Sequence, residues 1–168
     1  MNQLSIVSIE CLRQLQQWLE SLDAPTYSAL PLGLLGASMG KHCRHIIEFY
    51  QQLFETPPGE AVNYDKRERN LLLEQAPNEA AMALESIIQR ILDGVNDQAL
   101  TLEGELTKHT TPFATSLGRE LLYAYEHAVH HMALMRVASH AAFPHLTFPP
   151  NFGVAYATLQ HRKKTCAQ

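Results

Sequence analysis

The sequence predicts an all-α protein, an antiparallel four-helix bundle with a minor β-hairpin and a short C-terminal helix. Four long segments repeat their apolar residues every three or four positions, which is the period of an α-helix. The connections between these segments are short enough for consecutive helices to lie antiparallel. The length of 168 residues fits one domain, residues 1–168, and a hydrophobic content of 46% is enough for a core.

The first two predicted helices lie in the N-terminal third of the chain. The first covers residues 3–22, and residues 23–37, which are rich in proline and glycine, are predicted to be a connecting loop. Ser38 has the side chain of a helix N-cap, so the second helix is predicted to begin there and to run to about Glu55. A pair of prolines then ends it.

The third and fourth helices follow the same logic. The third is predicted over residues 77–93, with a proline in its first turn and a glycine just past its end. The fourth is the long segment from Ser116, a second candidate N-cap, to about His140. A short last helix is predicted over residues 153–162.

Residues 97–108 differ from the helical segments because their apolar residues alternate with polar ones. Leu100, Leu102 and Leu106 are separated by even numbers of positions, and threonine and glutamate stand between them. A period of two is typical of a β-strand, so this segment is predicted to be a short strand or hairpin.

Composition excludes two classes of partner. The 13 Lys and Arg residues are outnumbered by 17 Asp and Glu residues, so we expect no nucleic acid to bind, because phosphate binding needs clustered positive charge. No run approaches the roughly 18 apolar residues of a membrane helix. Three widely spaced cysteines, Cys11, Cys43 and Cys166, predict reduced thiols and a cytoplasmic location.

Nine histidines are the unusual feature of the composition. His127 and His131 are four residues apart on the fourth helix, so they share one face and could bind one metal ion. Ala128 stands where the zinc-protease motif has its glutamate. His42 and His45 lie three apart on the second helix, and three imidazoles from two facing helices would leave coordination positions open, as catalytic metal sites do. The alternative is that these histidines are solvent-facing or satisfied core residues.

His130 is three residues after His127 and lies on the other flank of the fourth helix, so it is a candidate neighbour of the ligands or a substitute for one of them. We expect the rest to lie on the surface, and they are His109, His140, His145 and His161.

Two motifs resemble the DinB/YfiT family of metal-binding four-helix proteins. Residues 38–46, Ser-Met-Gly-Lys-His-Cys-Arg-His-Ile, resemble the start of that family's second helix, and residues 126–131, Glu-His-Ala-Val-His-His, resemble its fourth-helix motif. Residues 62–69, 115–120 and 152–155 are similar to an uncharacterised branch of the family. The resemblance covers roughly residues 35–160 in the right order.

The resemblance implies a divalent metal ion, most often nickel or zinc and in other cases iron or manganese. One histidine of the second helix and two of the fourth would hold it, and the latter map to His127 and His131. Counting from the Ser-Met-Gly start gives His45 as the second-helix ligand. His42 lies nearer the centre of the apolar stripe, so it remains the alternate ligand or a neighbouring partner.

The resemblance also implies a function. Related proteins of known activity are metal-dependent transferases or isomerases that use a low-molecular-weight thiol, so we expect a metal-dependent enzyme acting on a small molecule, of thiol S-transferase or hydrolase-like type. A homodimer is also implied. The Met132-Ala133 pair replaces the Arg-Gly of many members, which separates the chain from the well-known thiol transferases. The alternatives are a non-catalytic metal- or ligand-binding stress-response protein and an interaction module with incidental histidines.

Residues near the histidines supply candidates for the remaining roles. Glu120 and Tyr123 precede His127 by seven and four positions, so they share its face and could orient imidazoles or act as an acid. Polar residues of the segment after residue 62 could hold an anionic substrate, since arginine suits carboxylates, or could form only a solvated loop with surface ion pairs. These substrate-binding candidates are Asp65, Arg67 and Arg69.

Overall fold

The computed structural model describes residues 1–34, 36–104 and 111–165. Within these residues the chain forms seven α-helices and one two-stranded sheet. The helices are α1 (Gln3–Leu19), α2 (Ala24–Ser28), α3 (Met39–Glu55), α4 (Leu72–Gln75), α5 (Pro77–Leu92), α6 (Leu117–Ala142) and α7 (Tyr156–Thr165). The strands are β1 (Ala99–Gly104) and β2 (Thr111–Ser116).

The four long helices form a closed bundle. Helix α1 packs against α5 and α6, and α3 packs against the same two helices. Each contributes fully buried side chains to one core, among them Leu15, Ile47, Leu84 and Met135. The predicted all-α bundle with a minor hairpin is therefore confirmed, and the bundle places α3 and α6 face to face.

Both predicted N-caps of the ligand-bearing helices are present. The Ser38 hydroxyl accepts a hydrogen bond from the Lys41 backbone N–H at 3.0 Å, and α3 begins at the next residue. Ser116 caps α6 in the same way, accepting from the Arg119 N–H at 3.3 Å. Each cap satisfies one backbone donor that would otherwise lack a partner. The two serines thereby fix where α3 and α6 start, and hence which residues face each other.

Several boundaries differ from the prediction. Helix α1 ends at Leu19, three residues early, and the predicted loop over residues 23–37 contains the short helix α2. Asp23 caps α2 by accepting from the Thr26 N–H at 2.7 Å. A five-residue helix has too few positions for its apolar period to be visible, so only the Asp23 cap and Pro25 in the first turn could have indicated it.

The hairpin lies later in the chain than predicted. Strand β1 pairs antiparallel with β2, from Ala99 opposite Ser116 to Gly104 opposite Thr111, so the second strand falls outside residues 97–108. Four of its six residues are exposed and it contains Pro112, so it lacks the alternation that indicated the first strand. The expectations for Leu106, His109 and Cys166 fall on residues outside the described ranges.

The hairpin anchors the segment that follows α3. The Val62 N–H donates to the Thr101 carbonyl at 2.9 Å, and the Glu103 N–H donates to the Val62 carbonyl at 2.8 Å. One residue later the Asn63 side chain caps a 3₁₀ turn over Tyr64–Lys66, accepting from two backbone N–H groups at 3.0 and 3.2 Å. This segment is thereby held against the bundle beside α3.

None of the helices in the described part of the chain combines the length and the apolar character needed to cross a membrane.

Candidate metal centre

Three histidines from α3 and α6 converge on one point. His45 Nε2 lies 2.9 Å from His127 Nε2, and His131 Nε2 lies 3.1 Å from the same atom. One ligand atom from each residue falls within 4.8 Å of the other two, and all three side chains are half-buried. The spacing of four residues places His127 and His131 on adjacent turns of α6, and His45 reaches them from α3.

The separations suit ligands of a single divalent ion. Two imidazole nitrogens bound at about 2.0–2.1 Å and at right angles would be about 2.9 Å apart, close to the observed values. Imidazole suits zinc and nickel, and three neutral nitrogens leave coordination positions open for other molecules. The three histidines are therefore positioned to bind a metal ion.

The surroundings favour neutral imidazoles, which are the form that binds metal. Burial first, and then the Arg67 charge and neighbouring histidines, lowers the pKa of His45 to about 3. Burial and the same histidine cluster lower the pKa of His131 to about 3. The pKa of His127 is also lowered, chiefly by burial. Near neutral pH all three rings therefore carry lone pairs rather than an extra proton.

His42 lies beside the three converging nitrogens rather than among them. Its Nδ1 atom is 2.7 Å from His131 Nδ1, on the side of that ring away from His127. If His131 offers its Nε2 lone pair to an ion, its Nδ1 carries the proton and donates to His42. Of the two α3 histidines, the structure thus brings His45 to the cluster and gives His42 a supporting contact.

Four further histidines described by the structure are exposed: His130, His140, His145 and His161. Exposure was expected of the last three, whereas His130 was a candidate neighbour of the ligands or a substitute for one of them. His130 is the nearest to the cluster, with its ring 5.4 Å from that of His131.

An aromatic column forms one wall of the cluster. The Phe49 ring stacks on His127 with centroids 4.4 Å apart, and Tyr64 stacks on the other face of Phe49 at 4.6 Å. Tyr123 lies beside the column, 5.5 Å from the His127 ring. These rings fix the orientation of His127 and keep water from one side of it. Sequence reasoning missed Phe49, although its position four residues after His45 placed it on the same face of α3.

Glu120 is fully buried but does not reach the histidines. It accepts hydrogen bonds from the Tyr64 hydroxyl at 3.0 Å and the Thr115 hydroxyl at 2.7 Å, and Arg119 lies 3.5 Å away. Burial and the Glu120 charge raise the pKa of Tyr64, so its hydroxyl stays protonated and keeps donating. Glu120 therefore holds Tyr64 in the column, while Tyr123 is the acid candidate that lies beside a histidine of the cluster.

Arg67 is the charged side chain that contacts the cluster directly. Its Nη2 lies 2.8 Å from His45 Nδ1, and its Nη1 donates to the Tyr64 carbonyl at 2.6 Å. Its Nε donates to Glu48 Oε2 at 3.3 Å. Its guanidinium also lies over the Phe49 ring, 5.1 Å from the centroid.

Glu48 is a buried carboxylate shared by two arginines, and sequence reasoning did not single it out. Besides Arg67 it pairs with Arg44 at 3.3 Å and accepts from the Asn70 N–H at 2.9 Å. Arg44 in turn pairs with Glu74 at 2.8 Å. A glutamate between two isoleucines and a phenylalanine was the available indication of a buried charge.

A cleft of about 740 Å³ opens beside Arg67, between α3 and residues 66–71. Arg69 and Arg67 line it together with Glu48, Gln52 and Glu55. Asp65, the remaining substrate-binding candidate, is exposed in the 3₁₀ turn and is not part of this lining.

The surroundings of the two described cysteines keep their thiols protonated. Cys11 and Cys43 are fully buried among apolar side chains, and this burial raises the pKa of each thiol to about 12. The Cys43 thiol points at Met135, whose sulfur is 3.7 Å away. Neither is therefore available as a thiolate at neutral pH.

The fold and this arrangement define a class: a four-helix-bundle protein with a three-histidine centre able to hold a divalent ion. The chain belongs to the DinB family, whose family model matches residues 10–142 and so includes all three histidines. It is also similar to FK506-binding protein 5 of Rhizopus delemar, with 35% identity over 109 residues. That alignment covers 61% of this chain but 28% of the relative, so the chain spans only about a quarter of the relative's length. No solved structure matches the chain.

Proposed function

We propose that this protein is a metal-dependent enzyme that acts on a small anionic molecule, with a thiol as co-substrate in a transferase or isomerase reaction. The observation that carries the proposal is the convergence of three histidines. His127 Nε2 lies 2.9 Å from His45 Nε2 and 3.1 Å from His131 Nε2. A structural metal site normally closes its coordination with four protein ligands, whereas three leave room for a reactant.

Zinc and nickel are the ions we propose for the centre. A divalent ion supplies the positive charge that lowers the pKa of a thiol or water beside it, and so provides a nucleophile at neutral pH. The high pKa of Cys11 and Cys43 argues against a nucleophile among the cysteines in the described part of the chain, and so supports an external thiol or water.

The chain's own residues would bind and orient the reactants. Arg67, which contacts His45, lines the cleft together with Arg69, and their guanidinium groups suit a carboxylate of the substrate. Tyr123 lies beside His127, where its hydroxyl could donate a proton or a hydrogen bond. The Phe49 and Tyr64 rings exclude water from the opposite wall.

The experiment is a conjugation assay on the zinc- or nickel-loaded protein. A panel of low-molecular-weight thiols is combined with carboxylate-bearing and neutral electrophiles. Loss of the electrophile is measured together with thiol consumption, because an isomerisation regenerates the thiol. We expect turnover that His127→Ala abolishes and Cys43→Ser leaves intact. Carboxylate-bearing electrophiles should react best, and Arg69→Met should raise their KM.

Stoichiometric metal without turnover for any thiol would contradict the enzymatic proposal. That result would favour the second candidate, a non-catalytic metal- or ligand-binding stress-response protein, which the same histidine geometry also permits. Turnover that survives His127→Ala would remove the metal centre from the reaction.

A further inference from the structure

The contact between Arg67 and His45 determines which nitrogen of the His45 ring carries the proton. Arginine has five N–H donors and no acceptor, so the 2.8 Å contact from Arg67 Nη2 requires His45 Nδ1 to accept. A neutral imidazole carries one proton, on one of its two nitrogens. The proton of His45 is therefore on Nε2, the atom that points into the three-histidine cluster.

That arrangement opposes metal binding. His45 Nε2 lies 2.9 Å from His127 Nε2 and, as the protonated atom, donates a hydrogen bond to it. A nitrogen that carries a proton has no lone pair for a metal ion. The contacts of Arg67 thus hold one of the three candidate ligands in the tautomer that cannot bind.

We propose that Arg67 is a positioning residue that acts as a lock on the metal centre, and that it must leave His45 when a divalent ion binds. This inference rests on the proposed metal site. On loading, the Nε2 proton of His45 goes to solvent, Nδ1 takes one proton from solvent, and the net proton count of the ring is unchanged. The ring then needs an acceptor where Arg67 now supplies a donor.

Glu48 is the candidate acceptor for the His45 Nδ1–H group. Arg67 contacts His45 through Nη2 and Glu48 Oε2 through Nε, which are neighbouring donors of one guanidinium group. Glu48 is also three residues beyond His45 on α3, so both side chains lie on the same side of that helix. Withdrawal of the guanidinium would leave a buried carboxylate on the same side of α3 as Nδ1–H, and a carboxylate is a common partner of a metal-binding histidine.

Once withdrawn from His45, the Arg67 guanidinium would lie in the adjacent cleft. Arg67 already lines the cleft that Arg69 shares, where the proposed anionic substrate would bind. Withdrawal of Arg67 from His45 would therefore place its charge where a substrate carboxylate can pair with it. Metal binding and anion binding would then favour the same position of one side chain.

The first test measures Zn²⁺ affinity at one fixed pH by competition with a chromophoric chelator. Arg67→Met removes the lock, and we expect it to tighten Zn²⁺ binding by about tenfold or more, the scale on which partners of ligating histidines act. Arg67→Lys keeps the charge but lacks the fork that bonds His45 and Glu48 together, so it should also bind more tightly than the wild type. Lys66→Met is the matched control, because it removes a charge from the adjacent, exposed position and should leave the affinity unchanged.

The second test reads the tautomer without metal. Long-range ¹H–¹⁵N correlation spectra of the metal-free protein should show His45 with its proton on Nε2 and, after Zn²⁺ is added, on Nδ1. Metal-free Arg67→Met should already populate the Nδ1–H form.

Three results would overturn the lock. Tighter binding by Arg67→Met with wild-type affinity in Arg67→Lys would show that charge alone is responsible. A metal-free wild type with the His45 proton on Nδ1 would contradict the tautomer argument directly. If neither the wild type nor Arg67→Met binds Zn²⁺ stoichiometrically, the proposed metal site itself fails. That outcome differs from stoichiometric binding with equal affinity in both proteins, which would contradict the lock alone.

Discussion

Replacing His42 tests whether this histidine supports the metal centre from outside it. His42 Nδ1 lies 2.7 Å from His131 Nδ1, and in the metal-bound protein it is the acceptor that keeps the proton on that nitrogen. Its own Nε2 is buried with no hydrogen-bond partner in the described part of the chain. His42→Phe keeps a ring of similar size, removes the acceptor and removes the unsatisfied nitrogen.

The magnitude follows from those contacts. Losing the partner of a ligating histidine costs about 10- to 100-fold in metal affinity, or about 1.4–2.7 kcal/mol. In the metal-free protein the loss of the contact to His131 Nδ1 lowers stability, whereas the removal of a buried nitrogen without a partner raises it, so the two effects should largely cancel. His42→Phe should therefore separate the two properties, with weaker Zn²⁺ binding and little change in the free energy of unfolding without metal.

Chelator competition and urea unfolding, each on the same preparations, measure the two quantities. His130→Phe is the control, since its ring lies at a similar distance from His131 but is exposed, and its affinity should stay within about twofold of the wild type. Equal affinity for His42→Phe and the wild type would refute the supporting role. An equal loss in both variants would point to a general disturbance around His131, which both rings contact, rather than to a specific supporting role of His42.

Three further predictions concern stability. Burial and neighbouring charges lower the pKa of His45 and of His131 to about 3, below the ordinary 6.5, so the stability of the metal-free protein should be full above about pH 6.5 and fall as the pH drops from there toward 3. Urea unfolding that shows no change between pH 7 and pH 5 would contradict this. Glu48→Gln leaves two buried guanidiniums without their shared carboxylate and should cost about 3 kcal/mol, whereas Glu103→Gln, in an exposed pair, should cost under about 1 kcal/mol by the same assay. Gly40→Ala would drive a methyl group into a backbone carbonyl of α4, so a loss of about 1–3 kcal/mol is expected in thermal unfolding, and wild-type stability would show that α3 and α4 pack less closely than described.

The spacing of residues within a helix carried most of what could be predicted about the centre. A separation of four residues places His127 and His131 on one face whatever surrounds them, and the structure shows their Nε2 atoms 3.1 Å apart. The choice between His42 and His45 could not be made in this way. Both lie near one face of α3, and which of them meets α6 depends on how that helix is rotated in the bundle.

Contacts between distant segments were beyond the sequence. Arg67 reaches His45 because Val62 pairs with β1 and holds the intervening turn against α3. Those pairings join residues about 40 positions apart, and no local period reports them. The position of the second strand of the hairpin was predicted wrongly for a related reason, because β2 gains its structure from its partner rather than from alternation of its own.

The most direct test of the metal centre is the metal content of the purified protein. Elemental analysis after loading with Zn²⁺ and desalting should give one ion per chain for the wild type and for His130→Ala, and almost none for His127→Ala. His127 is the decisive position because both short contacts of the cluster, at 2.9 and 3.1 Å, meet at its Nε2 atom. A stoichiometric ion in His127→Ala, or none in the wild type, would contradict the assignment of these three histidines as a metal centre.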